Sequence, residues 1–138
     1  AIVCADTKIP TFRSMRLEDL SSVLPMIDYI FPNETEAAFL SGIEESSGDC
    51  GKMADALLSK GIGHVVIKTG EKGCYAACRE ERFTLPALRV PVVDTTGAGD
   101  NLVAGFLDAL LRGENFRSCC EAGIRTAAAS VQHLGATQ

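Results

Sequence analysis

Apolar positions in this chain fall into short continuous runs and longer runs of helical spacing, and the two kinds alternate. AIVCA (1–5), DYIF (28–31) and HVVIKT (64–69) are brief and apolar, and read as strands. RLEDLSSVLPMI predicts a helix from about Arg16 to Pro25, with Leu17, Leu20 and Leu24 on one side. NETEAAFLSG predicts a second helix, capped by Asn33 and stopped by Gly42, and DCGKMADALLSKG (49–61) a third, closed by Gly61. GCYAACREERFTLPA has the character of a hairpin or meander. RVPVVD then leads into a long helix beginning near Gly97, and a last helix runs from about Phe116 to His133. Strands separated by helices of ten or more residues indicate an α/β fold of three layers, a mainly parallel sheet with helices on both faces.

Composition narrows the class. The chain has 138 residues, 46% of them hydrophobic, which suits one domain with a real core. No apolar run reaches the 18 or so residues of a membrane span, and no secretory signal is visible, so neither a membrane nor export is expected and a cytoplasmic location is. The abrupt apolar start suggests a cut through a larger protein. Net charge is -5, from 13 Lys+Arg against 18 Asp+Glu, without a basic cluster; nucleic acid is not an expected partner. The six cysteines sit in strand-like and helical runs. They read as reduced, mostly buried small apolar residues, with Cys74 and Cys78 on one strand face, and with two histidines and no CxxC a zinc site is not expected.

The chemistry concentrates in DTTGAGDNLVAGF. Past Asp100, apolar residues recur at Leu102, Val103, Phe106, Leu107, Leu110 and Leu111, so Gly97 and Gly99 fall at a helix start. Unpaired amides there, aided by the helix dipole, make an anion site. A carboxylate in that position competes with a bound phosphate unless it serves the reaction. Phosphoryl transfer reconciles the two, with the amides of Ala98, Gly99 and Asp100 holding charge and Asp100 accepting the proton of an attacking hydroxyl. The plain alternative is a helix start stabilised by Asp100, for about 0.3–1 kcal/mol. Neither GxxxxGK[ST] nor GxGxxG is present.

VVDTTGAGDNLVAGF resembles the C-terminal signature of the ribokinase-like (phosphofructokinase-B type) carbohydrate kinases. The resemblance implies that Asp100 is the catalytic base and that Gly97, Ala98 and Gly99 line the anion hole. It also implies a monovalent-cation site, usually K+, near Asp94 and Thr96 with a second loop near residues 130–135. DYIFPNETEAAFL resembles the family's PNxxE motif, where Asn33 and Glu36 organise Mg2+ and phosphate; read locally, the same residues are a capping box. In VVIKTGEKGCY the resemblance places Lys68, Thr69, Gly70 and Gly73 by the nucleotide, whereas turn geometry alone accounts for both glycines. Asp6 matches the Mg2+ region loosely, with Lys8 and Arg13 as uncertain substitutes for the family's arginine or asparagine. Leu102, Val103 and Phe106 are expected in the core.

The resemblance covers nearly the whole chain yet only the C-terminal portion of the family's usual protein. The N-terminal half, with its sugar-binding residues and β lid, has no counterpart here. The leading expectation is the nucleotide-binding and catalytic portion of a kinase using ATP and Mg2+ on a sugar or nucleoside. Residues 1–138 alone are then inactive, and partner either with the missing half or with a second copy through an uncovered sheet edge. A non-enzymatic nucleotide-binding module and a structural fragment are the alternatives. Asp100, Asn33 and Glu36 together argue against the last, because packing alone does not need all three.

Overall fold

The computed structural model describes residues 2–5, 24–44, 46, 48–88 and 98–130. They fall into two compact units, Ala1–Thr69 with Tyr75–Thr84, and Gly70–Cys74 with Leu85–Gln138. The predicted helix over 16–23, the RVPVVD segment and the tail beyond Ser130 lie outside the described residues; Leu24–Met26 is a 3-10 turn.

A five-stranded sheet runs in the order β1 (Cys4–Ala5), β2 (Tyr29–Ile30), β3 (His64–Lys68), β4 (Cys74–Cys78), β5 (Arg82–Leu85). β1 and β2 are parallel, in register at Cys4–Tyr29 and Ala5–Ile30, and β2 and β3 are parallel at Tyr29–His64 and Ile30–Val65. Parallel neighbours need a crossover, supplied between β2 and β3 by helices α1 (Glu34–Ser41) and α2 (Cys50–Ser59). The connections at 69–73 and 79–81 are too short to cross over, so β3, β4 and β5 reverse as the meander expected from the sequence. The sheet is therefore mixed.

Val65, Val66 and Ile67 are all fully buried. Successive strand residues face opposite ways, so both faces of β3 are covered, which is what a continuous apolar run predicts. On one face Ile30, Val65 and Ile67 share a core with Ala37 and Leu40 of α1 and Met53, Ala54 and Leu57 of α2. Each crossover helix has a defined start. Asn33 caps α1, and the Asp49 Oδ1 accepts from the Lys52 N–H at 2.9 Å to cap α2. Gly42 closes α1 in the left-handed region at φ 78°.

The second unit contains α3 (Ala98–Leu111) and α4 (Phe116–Ser130), joined by residues 112–115. Leu102, Val103 and Phe106 are buried, as expected, and Phe106 meets Phe116 edge-on at 6.1 Å. The apolar face is narrower than its sequence pattern: Leu107 and Leu110 are half-buried and Leu111 is 87% exposed. Close helix contact explains the difference. A Cβ on Gly105 would lie 2.8 Å from the Ala122 carbonyl, and one on Gly123 2.7 Å from the Leu102 carbonyl. The small residues define the buried stripe, and Leu111 at the last turn falls beyond it.

One glycine in this unit is fixed by its surroundings. Gly73 has φ 107°, and a Cβ there would sit 1.9 Å from the Leu85 carbonyl oxygen. Gly70, at φ 61°, has nothing within 4 Å of the same position. Gly73→Ala should therefore cost more than the roughly 1–2 kcal/mol of a left-handed alanine, while Gly70→Ala should cost about that amount. Urea denaturation of the two variants checks this; equal losses would show that the approach of Leu85 does not constrain residue 73.

Candidate active site

α3 supplies the first component. Amides in the first turn of a helix have no carbonyl four residues back, and the dipole adds positive potential around them. Ala98, Gly99 and Asp100 are the first three residues of α3, Gly99 half-buried and Asp100 exposed. Beyond the half-buried Asn101, Leu102 and Val103 are buried, so the start of α3 is anchored by its own core residues while Asp100 is exposed to solvent. Such an arrangement can hold an anion and accept a proton beside it. Asp94, Thr96 and Gly97 lie outside the described residues, as do Asp6, Lys8 and Arg13.

The second component lies where β2 and β3 end. The Asn33 side chain accepts from the Glu36 N–H at 2.8 Å, and the Glu36 Oε1 accepts from the Asn33 N–H at 2.9 Å, a complete capping box. Asn33 is exposed and Glu36 only 6% exposed. Asn33 also pairs as a parallel bridge with Lys68, whose N–H donates to the Pro32 carbonyl at 2.8 Å. Asn33, Glu36 and Lys68 are thus brought together at the carboxyl ends of adjacent parallel strands, where ligands of open α/β sheets bind. Pro32 is a participant the sequence reading passed over. It is fully buried and its carbonyl registers α1 against β3, and its place ahead of the cap was the available signal.

The third component is the turn after β3. Thr69 leads into a 3-10 turn at Gly70–Lys72, closed by the Gly73 N–H donating to the Gly70 carbonyl at 3.0 Å. The two glycines separate here. Gly73 is required by the approach of Leu85, and open space beside Gly70 leaves its backbone accessible to a ligand. Of the proposed cation loop only Ser130 is described; it is buried, with its hydroxyl donating to the Ala127 carbonyl at 2.7 Å.

The sequence matches the pfkB family carbohydrate kinase pattern over residues 2–138. The chain belongs to the pfkB family of carbohydrate kinases. Among its relatives, the ribokinase of Haemophilus influenzae is 37% identical over 115 residues, which are 83% of this chain and 38% of that protein. The ribokinase of Staphylococcus aureus is 36% identical over 118 residues, 84% of this chain and 39% of that one. The crystal structure of Thermotoga maritima ribokinase superposes with a TM-score of 0.77 at 32% identity, covering 99% of this chain and 44% of that one. Arabidopsis thaliana ribokinase, solved with ribose and ATP, gives 0.80 at 28% identity, covering 99% and 43%. The chain therefore has a ribokinase-like fold and spans less than half the length of these relatives. Among the described residues no helix is long and apolar enough to cross a membrane.

The capping box gives this part of the pfkB chain a measurable stability role. Asn33→Ala should lower stability by about 0.5–2 kcal/mol, while Asn33→Asp, which still caps, should stay close to wild type. Chemical denaturation midpoints of both variants check this, and an undamaged Asn33→Ala would remove the stability role.

Proposed function

We propose that the complete protein transfers the γ-phosphoryl group of ATP to a hydroxymethyl group of a sugar or related substrate. Asp100 is the base, and the amides of Ala98, Gly99 and Asp100 are the anion hole, continued by Gly97. The observation that carries this reading is an exposed Asp100 in the first turn of a helix that is anchored from Leu102 onward. Family membership supports the sugar-kinase class, and the Arabidopsis relative that binds ribose and ATP supports the nucleotide.

The residues present suit the two groups such a reaction needs. First-turn amides match an anionic phosphoryl group. Glu36 has one oxygen committed to the Asn33 N–H and the Asn33 oxygen is committed to the Glu36 N–H, so the pair suits Mg2+ held through bridging waters. When bound, Mg2+ would neutralise charge on the phosphates. Lys68, Thr69, Gly70 and Gly73 form the nucleotide side of the proposal: Lys68 as a point charge, Thr69 and Gly70 as neighbours of the phosphates, and Gly73 as the residue that fixes the turn. Asp94 and Thr96 are assigned to a monovalent cation, K+ where one is used.

During transfer, Asp100 would accept the hydroxyl proton as the oxygen attacks, while the amides beside it hold the charge of the moving group. Orientation of that hydroxyl falls to residues outside this chain's 138, since the chain spans only 38% of the Haemophilus relative. The short chain by itself is accordingly proposed to be a poor catalyst.

Asp100→Asn in the full-length protein should keep the fold and nucleotide binding and lower kcat by roughly 10²–10⁴-fold. Near-wild-type turnover would eliminate Asp100 as the base. Glu36→Gln preserves an acceptor for the Asn33 N–H but removes the charge. It should melt almost normally, and its Mg2+ requirement should rise by about 10–100-fold, the usual effect of disturbing a metal's outer shell. An unchanged Mg2+ titration would leave Glu36 with its capping role alone.

A further inference from the structure

Phe31, Pro32 and Asn33 connect β2 to α1, all within the first unit. β2 has a parallel neighbour on each side, β1 and β3. Pairing continues past its last residue. The Phe31 N–H donates to the Ala5 carbonyl at 3.0 Å, and the Pro32 carbonyl accepts from the Lys68 N–H at 2.8 Å. Asn33 then bridges to Lys68. A strand flanked on both sides is a poor place for proline, because the ring removes a ladder donor. In a parallel ladder the N–H and C=O of one residue point to the same neighbour. Any other residue at 32 would therefore offer β3 an N–H as well as a carbonyl. Pro32 withholds that rung, yet it is fully buried at this position.

Sheet pairing alone does not account for such a residue. What proline supplies is direction: its ring holds φ at about -65° and keeps the residue before it extended. Asn33 follows in extended backbone, at φ -80° and ψ 179°. Its N–H goes to Glu36 Oε1 at 2.9 Å, its side-chain oxygen accepts from the Glu36 N–H at 2.8 Å, and its carbonyl accepts from the Ala37 N–H at 2.8 Å. These bonds tie Asn33 into α1, and the backbone bond from this segment to β3 passes through the Pro32 carbonyl.

We propose that Pro32 is a positioning residue for the Mg2+ and nucleotide end of the site. It sets the direction in which the chain leaves β2, and so where Asn33 and Glu36 stand relative to Lys68. The inference rests on the kinase reading above for what binds there. A residue free in φ and able to donate to β3 would extend β2 by a rung and carry the start of α1 with it. The capping box would stay closed, since its two bonds are internal to residues 33–36, while its placement against Lys68 changed. Folding and ligand affinity therefore separate at this position.

The test is Pro32→Val in the full-length protein, which keeps an apolar side chain suited to a strand, restores the N–H and frees φ. Binding of ATP with Mg2+ is followed by calorimetry, which needs no turnover, alongside kcat, KM and amide hydrogen exchange by NMR. Affinity for MgATP should weaken, and KM rise, by roughly 10-fold, the lower end of what disturbing a metal's outer shell costs. kcat should stay within about twofold, the sign of lost binding rather than lost chemistry. Exchange at the Lys68 amide should quicken while Val65 and Ile67 in the same strand stay unchanged. Unaltered affinity would overturn the proposal, and so would equal quickening at Val65 and Ile67, the mark of general destabilisation. If Pro32→Val does not fold, the wild type decides: MgATP should slow exchange at Lys68 more than at Leu57 of α2, and equal slowing or none would overturn it. An affinity shift in a protein that phosphorylates no sugar would retire the transfer reading and uphold Pro32.

Discussion

The register between α1 and β3 is the constraint on which the first unit depends. Lys68 donates its N–H to the Pro32 carbonyl, Asn33 bridges to Lys68, and the Asn33–Glu36 box begins α1 on that spot. Once α1 starts there, Ala37 and Leu40 reach the core shared with Ile30, Val65 and Ile67. A displaced start would rotate α1 by about 100° per residue and turn that face away. Backbone pairing thus decides which side chains are buried, and the same pairing leaves Asn33, Glu36 and Lys68 at the carboxyl end of the parallel strands.

How far this was legible in the sequence depends on how local the cause was. The Asn33–Glu36 box lies within four residues, so its spacing was enough to predict the cap, and the glycine at 42 was enough to predict the stop. β3 was legible because a run of Val65, Val66 and Ile67 with no polar alternation suits only a strand covered on both faces. The reversal over 74–85 was legible as a meander, while the pairing of β4 beside β3 rather than elsewhere is a long-range choice that no local pattern encodes. Leu111 shows the opposite limit. Its spacing of four from Leu107 fits the helical period, but the buried stripe of α3 follows Gly105, and α4 approaches closely enough there that the last turn is left in solvent.

The glycines of the turn after β3 show why residue type alone could not divide binding from packing. Gly70 and Gly73 are equally permissive as sequence, and both have positive φ. Their surroundings differ completely. Leu85 presses its carbonyl onto Gly73, which makes that position a matter of steric fit, and Gly70 stands in open space. The ligand reading therefore concentrates on Gly70 and on the amides of the turn it opens.

Stability terms under-determine the three polar residues on which the functional reading rests. Asn, Asp and Ser cap helices about equally well, so folding does not single out asparagine at position 33. An acidic residue anywhere in the first turn of α3 would interact with the dipole about as well as Asp100 does. Glu36 could be glutamine and still close the box. Each energy at stake is about 1 kcal/mol, small against the loss from a cavity in the core around Leu40 and Leu57, which runs to about 2–5 kcal/mol for a leucine reduced to alanine. Packing therefore explains why the helices begin where they do, and it does not explain why those starts carry this asparagine and these two carboxylates. The phosphoryl transfer proposed above would call for them: a carboxylate in the first turn of a helix, and an amide–carboxylate pair able to order the waters of a metal.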